Sequence, residues 1–348
     1  MATRDNIRGS LNNEYCLPKQ SIARIVDAEE TPQLLVSPHG KFIAYLYRSG
    51  PVDLHDISEP EVRTAGLRLS TFFTKSFARR NFYTSLRIET LPIKPDPLTS
   101  RRESFDVIPH EEGKRKLAHF KWNCDGDILA FSECFESEMY LNTYLVPERK
   151  LIRKKLCLND TLCSPLKWVA NRTLLVLKAA NSNIQPPSKP RFPKRPIIRS
   201  HDNDQVKLAP TFQDLIKDDY DENLFKYYTT SKLVAVSVAD NDAALMCKDV
   251  NGIEPGIYVN YEASPNGLYL KLDKLRAPFS RIVPYRYFGR RTTVHKLLVN
   301  KMRNRYSYEF ELVREIAKVD AAEDIFHAHD TCRKGRRFCW WSEGHGAL

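Results

Sequence analysis

Short apolar runs alternate with polar turns along this chain, and four times they compose the same phrase: apolar run, turn, apolar run. The phrase spans Gln33–Tyr47, Leu117–Phe131, Leu166–Leu177 and Ile257–Lys271. Its turns are Ser37-Pro-His-Gly40, Asp125-Gly126, Asn171-Arg172 and Ser264-Pro-Asn-Gly267, and a fifth copy begins at Arg337-Phe-Cys-Trp-Trp-Ser-Glu-Gly344. Proline fixes φ, while glycine and asparagine tolerate positive φ, so these are turns with a mechanism. Apolar runs on both sides of such a turn predict a β-hairpin. A hairpin that recurs without being able to bury its faces alone predicts stacked sheets.

The second copy shows a whole unit. Leu117–Trp122 and Asp127–Ser132 read as its first two strands, Tyr140–Val146 as the third, and the charged Lys150–Leu158 as an outer fourth. Four strands in roughly forty residues is the size of a β-propeller blade. From first turn to last there is room for seven units of about 43 residues, but the gap after the third hairpin holds material of another pattern. The expected fold is therefore all-β: an incomplete propeller of about four four-stranded blades plus the start of a fifth, with loop and helical insertions. Its expected divisions are an extended lead-in over 1–31, blades over about 32–110, 114–160, 164–250 and 255–318, and a fifth beginning at 319–348.

The extra material lies in 181–230. Five prolines within residues 185–196 impose an extended, non-sheet segment, readable as a blade insertion or as a ligand for a partner. After it, apolar residues at 212, 215, 216, 220, 224, 227 and 228 keep helical spacing, and Thr211 with Asp214 forms a capping pair, which predicts a helix over 211–228. Its Asp218, Asp219, Asp221 and Glu222 read as a solvated face, since no EF-hand glycine accompanies them. A second insertion, 49–80, carries Val62–Arg68. Trp122, Trp168 and Trp340 are expected to be substantially buried at the ends of innermost or second strands.

A chain of 348 residues can bury a sizeable core. No apolar run reaches membrane-spanning length and the first residues hold no apolar signal core, so neither a membrane nor secretion is expected. The eight cysteines form no C-x-x-C pair and suit a reduced compartment. The net charge of +11 favours acidic partners. No nucleic-acid motif surrounds the basic clusters, so nucleic acid is not an expected partner.

Eight short phrases carry a specific resemblance. Ile25-Val-Asp27, Val62–Arg68, Phe82-Tyr-Thr84, Thr211–Lys217, Tyr220-Asp-Glu222, Ser280-Arg-Ile-Val-Pro284, Ala322-Glu-Asp-Ile325 and Arg333-Lys-Gly335 resemble, in order, the amino-terminal half of plant and bacterial glutamyl endopeptidases. These are serine peptidases of the prolyl oligopeptidase group, and the resemblance covers residues 20 to 344. It implies a propeller that caps an α/β-hydrolase domain and restricts entry to short or unfolded peptides. It also implies cleavage after glutamate, hence acidic, Glu-containing peptide substrates, and a location in the chloroplast stroma. Without the resemblance the composition reads as cytoplasmic.

The chain departs from that family in its chemistry. A nucleophile elbow needs Gly-x-Ser-x-Gly, because a strained turn leaves no room for side chains beside the serine. Among thirteen glycines only Gly252 and Gly256 are four apart, and Glu254 stands between them. No catalytic residue is assigned, and these residues are expected to be inactive alone. No cofactor is expected. His327, His329, Cys332, Cys339 and His345 invite zinc, but their spacing fits no structural zinc pattern, and no metal ligand is assigned. Two functions follow: the substrate-gating portion of a peptidase, or an independent propeller scaffold for protein–protein binding. Coding sequence for a hydrolase domain directly downstream would separate them. An unclosed array is also expected to be marginally stable and to self-associate through open edges.

Overall fold

The computed structural model describes residues 18–26, 28, 30–48, 58, 60–70, 82–91, 103–109, 115–135, 138–192, 212–238, 245–302 and 305–323. Each recurring phrase opens a four-stranded antiparallel unit. Unit 1 comprises β1 (Gln33–Val36), β2 (Phe42–Tyr47), β5 (Ser85–Thr90) and β6 (Ser104–Ile108), in that order across the sheet. Between its second and third strands lies a separate hairpin, β3 (Glu61–Thr64) and β4 (Leu67–Ser70). Unit 2 is β7 (Arg115–Trp122), β8 (Ile128–Phe135), β9 (Glu138–Leu145) and β10 (Lys150–Lys155), with the charged β10 at the edge.

Units 3 and 4 form one eight-stranded sheet. Unit 3 holds β11 (Leu166–Ala170), β12 (Thr173–Ala179), β13 (Ser231–Val238) and β14 (Leu245–Asn251). Unit 4 holds β15 (Tyr258–Ala263), β16 (Tyr269–Leu275), β17 (Arg290–Met302) and β18 (Arg305–Val319). Their outer strands join through a short parallel contact, Val250 with Tyr308 and Asn251 with Glu309. The Tyr308 hydroxyl adds a hydrogen bond with Ser237 at 2.8 Å.

The cores lie between the units. Ala44, Leu46, Leu86 and Ile88 of unit 1 meet Leu117, Leu129, Phe131 and Tyr144 of unit 2. The opposite face of unit 2, with Ile128, Ala130 and Leu141, meets Leu174, Val176, Val234 and Val236 of unit 3. Leu175, Leu177 and Ala235 then meet Tyr261, Leu270, Leu272 and Phe310 of unit 4. Successive strand residues point to opposite faces, so a strand buried on both faces must be apolar throughout. This is why Ile128–Phe131 of β8 and Leu174–Leu177 of β12 are unbroken apolar runs.

The turns are part of the stacking. A Cβ on Gly126 would lie 3.1 Å from both Ser37 and Pro38 of the preceding turn. Asn123 holds its own turn through Asp127 and donates to the Asn171 carbonyl in the next at 3.0 Å. Gly267, at φ +70°, passes so close to unit 3 that a Cβ would sit 2.5 Å from the Val169 carbonyl oxygen. Tryptophans stitch the first strands of successive units: Trp122 donates to the Leu35 carbonyl at 3.2 Å and Trp168 to that of Lys121 at 3.0 Å. Both are half-buried rather than substantially buried, because the indole N–H must reach an edge carbonyl. Trp340 lies outside the described residues, as do the histidine–cysteine constellation from 327 onward and most of the expected fifth repeat.

Two expectations are corrected. The helix expected over 211–228 begins at Asp219 and ends at Thr229. Asp218 caps it by accepting from the Asp221 N–H at 2.9 Å, and Asp214 has φ +56°, which no helix interior permits. The lead-in is not extended throughout, since Gln20–Val26 is a short helix (α1), and Asp219–Thr229 is therefore α2. Ile22, Ile25 and Val26 have helical spacing, and they are 50, 77 and 66% exposed.

Candidate functional site

Three connections leave the array at the same place, between second and third strands of units 1, 3 and 4. They are the β3–β4 hairpin, the segment 180–230 with α2, and the loop 276–289. The first hairpin turn of every unit is at the other end of its strands. The three insertions converge on a core of their own: Ala65, Ile216, Phe225, Ile257, Leu275, Phe279, Val283 and Phe288. Phe225, fully buried, meets Phe279 and Phe288 edge-on at 5.2 and 5.7 Å between ring centres.

The joint is tight and polar-satisfied. The Gly66 N–H donates to the Asp214 carbonyl at 2.8 Å, and the Tyr285 N–H to the Ala65 carbonyl at 2.9 Å. A Cβ on Gly66 would meet the Pro284 Cβ at 2.5 Å. The Thr64 hydroxyl donates to the Asp221 carbonyl at 3.0 Å, and Arg68 pairs with Asp214 at 2.8 Å. Arg281 pairs with Asp219 at 2.7 Å. Burial pushes the Asp221 carboxyl up from the ordinary range, partly offset by the Lys217 N–H that it accepts at 3.1 Å. Ala65 and Asp214 are both non-glycine residues at positive φ, a conformation retained only where contacts over-determine it. Hairpin, helix and loop thus make a cap linking unit 1 to units 3 and 4.

Four of the phrases carrying the resemblance, Val62–Arg68, Thr211–Lys217, Tyr220–Glu222 and Ser280–Pro284, meet in this cap from Phe212 onward. The phrases were legible one by one. Their meeting was not, because Arg68 and Ser280 are 212 positions apart and the phrases share no periodicity.

Further ionisable groups lie on β7, on β11 and in the segment that precedes β11. His119 sits in a bulge of β7 at φ +59°, and its Nε2 lies 2.8 Å from Asp160. Burial pushes the Cys163 thiol up to about 12, against the pull of Lys167. Lys121 is lowered by burial and then by Lys167. The fully buried Glu133 is a different case. Arg115 and Arg153 reach it at 3.0 and 3.2 Å and Asn142 donates at 2.7 Å, so it is a saturated structural clamp across the four strands of unit 2.

No group of three or more His, Cys, Asp or Glu among the described residues is placed to hold a metal ion. No helix among them is long and apolar enough to cross a membrane.

Fold and site together define a mostly antiparallel β protein of face-stacked four-stranded units with an insertion cap. Comparison with known proteins places it more narrowly. The chain is 32% identical over 336 residues to a probable chloroplastic glutamyl endopeptidase of Oryza sativa subsp. japonica, covering 94% of this chain and 33% of that protein. It is 32% identical over 340 residues to the Arabidopsis thaliana protein of the same name, covering 95% and 33%. The chain is thus a homologue of the plant proteins named probable glutamyl endopeptidase, and it spans about a third of their length. No protein-family model matches it. Solved structures with similarity include one from a study of two prolyl endopeptidases, at TM-score 0.36 and 10% identity over 84% of this chain and 30% of that one. An acylaminoacyl peptidase of Pyrococcus horikoshii follows at TM-score 0.33 and 9% identity, over 83% and 33%. Superposition at that level bears on neither fold nor function.

Proposed function

We propose that these residues are the propeller portion of a glutamyl endopeptidase-like serine peptidase, four blades and the start of a fifth, which gates acidic peptides toward a catalytic domain. The carrying observation is the near end-to-end homology with proteins of that name, along one third of their length. The stacking supports the blade reading: each unit packs face to face on the next in chain order, with the turns and tryptophans between them. The cap supports the gating reading, since insertions from units 1, 3 and 4 meet at one end and leave the turn end as the side of approach. A chloroplast location follows from the relatives' names. With no Gly-x-Ser-x-Gly in the sequence, the 348 residues lack the nucleophile, so the chemistry itself must come from elsewhere.

A peptidase assay on the purified 348-residue chain tests this. No cleavage of a Glu-containing peptide is expected. Cleavage restored by adding a separately produced hydrolase portion of a plant relative would support the gating role. Reproducible cleavage by the chain alone, abolished by a serine-directed inhibitor, would refute it.

A further inference from the structure

We infer that Asn251–Gly252 is a self-modifying site, where the Asn251 amide converts to aspartate or isoaspartate and loosens the join between units 3 and 4. The inference is independent of the peptidase reading above. Asparagine is a thermolabile residue, and before glycine, which has no side chain, its amide is least hindered from reacting with the chain itself. The glycine backbone nitrogen attacks the asparagine Cγ. The proton of that nitrogen and the amide NH2 leave together as ammonia, which closes a succinimide ring. Water then opens the ring at either carbonyl. One opening gives aspartate; the other gives isoaspartate, in which the backbone runs through the former side chain. Water is the sole co-reactant.

The chain holds two Asn-Gly pairs, Asn251–Gly252 and Asn266–Gly267, and the fold treats them oppositely. Asn266 is locked in its turn: its Oδ1 accepts from the Ser264 hydroxyl at 2.7 Å and from the Leu268 N–H at 3.1 Å. The nitrogen that would attack it is also held, since the Gly267 N–H donates to the Ser264 carbonyl at 2.8 Å. Asn251 is exposed, and among the described residues its side chain makes no hydrogen bond. It is the last residue of β14 and belongs to the parallel contact that joins units 3 and 4, Val250 with Tyr308 and Asn251 with Glu309. Gly252 follows at φ +80°, so close to β18 that a Cβ would strike the Phe310 carbonyl oxygen. Isoaspartate at position 251 inserts one more backbone atom directly before this close approach. Either product also places a negative charge at the register partner of the exposed Glu309, and like charges across strands destabilise their pairing. A contact of two residue pairs has no further pairs to absorb the change.

The test ages the full chain at mildly alkaline pH and reads each asparagine by peptide mapping with mass spectrometry. Asn251 should convert about tenfold faster than Asn266, the rate equivalent of one net hydrogen bond holding the Asn266 amide. Equal rates, or Asn266 converting first, would overturn the site. The thermal midpoint of the aged chain should fall below that of the fresh chain. Asn251→Gln, which lacks the succinimide route, should keep its midpoint through the same treatment. Conversion at Asn251 with an unchanged midpoint, or an equal fall in the glutamine variant, would overturn the loosening of the join. Conversion itself is read on the unaltered chain, so the site remains testable if the variant fails to fold.

Discussion

Gly267 and Gly40 occupy equivalent turns at nearly the same φ, +70° and +65°, yet only the first is crowded. Nothing lies within 4 Å of a Cβ on Gly40, whereas on Gly267 it would strike the Val169 carbonyl oxygen. Gly40→Ala should therefore cost only the left-handed conformation, about 1 kcal/mol. Gly267→Ala should cost about 2–3 kcal/mol, because unit 4 must also shift from unit 3. Denaturant midpoints of the two variants check this, and equal shifts would mean that the turns do not pack on their neighbours. His295 makes a second prediction at this scale. It is 8% exposed, its Nε2 lies 3.0 Å from the Thr293 hydroxyl, and its Nδ1 has no partner among the described residues. Burial, and then Arg291, lower its pKa from the ordinary 6.5. The unfolded chain then takes up a proton first as the pH falls. Stability present above about pH 6.5 is lost as the pH drops toward the folded-state value. His295→Phe should flatten the urea midpoint between pH 7.5 and 5 relative to the unaltered chain; an unchanged slope would contradict it.

Among the elements, the hairpins were legible because turn chemistry and alternation are local. Ser37 and Ser264 show how local: each hydroxyl accepts the N–H of the residue five positions on, at 3.0 and 2.9 Å, closing the same turn from the same Ser-Pro start. The start of α2 was not legible. Thr211 and Asp214 fit a capping pair in sequence, but Asp214 is drawn to Arg68 and its carbonyl to Gly66, contacts supplied by a hairpin some 150 residues earlier. Tertiary contact overrode local preference, and the helix restarted at the next good cap. Asp218→Ala should then cost about 1 kcal/mol, with Thr211→Ala near neutral. Thermal melts of the pair decide between the caps: a larger loss from Thr211→Ala would restore the longer helix. The cap itself carried no sequence signal beyond its phrases, since nothing in Val62–Arg68 announces Pro284 as its neighbour.

For the whole molecule, the cap alters what an unclosed array should do. It links unit 1 to units 3 and 4, so the four units do not depend on neighbour stacking alone, and a cooperative melt is expected instead of marginal stability. It does not cover the outward face of unit 1. There Leu34 and Val36 are 54 and 52% exposed, beside the half-buried Ile43, Tyr45 and Tyr47, while Ala44 and Leu46 on the other face are buried in the next core. Arg87, Glu89 and Asp106 make the β5–β6 half of this face charged. Its β1–β2 half is apolar and β1 is an edge strand, a combination that favours association with a second apolar surface. The chain should therefore self-associate at micromolar concentration. Charge at the exposed positions should oppose this without touching the buried core, so Leu34→Lys with Val36→Lys is expected to shift the population toward monomer and to leave the melt intact. Sedimentation velocity across a concentration series, on both proteins, measures it. Monodisperse monomers of the unaltered chain at high micromolar concentration would show that this face is not adhesive. Association undiminished by the two lysines would place the contact on another surface.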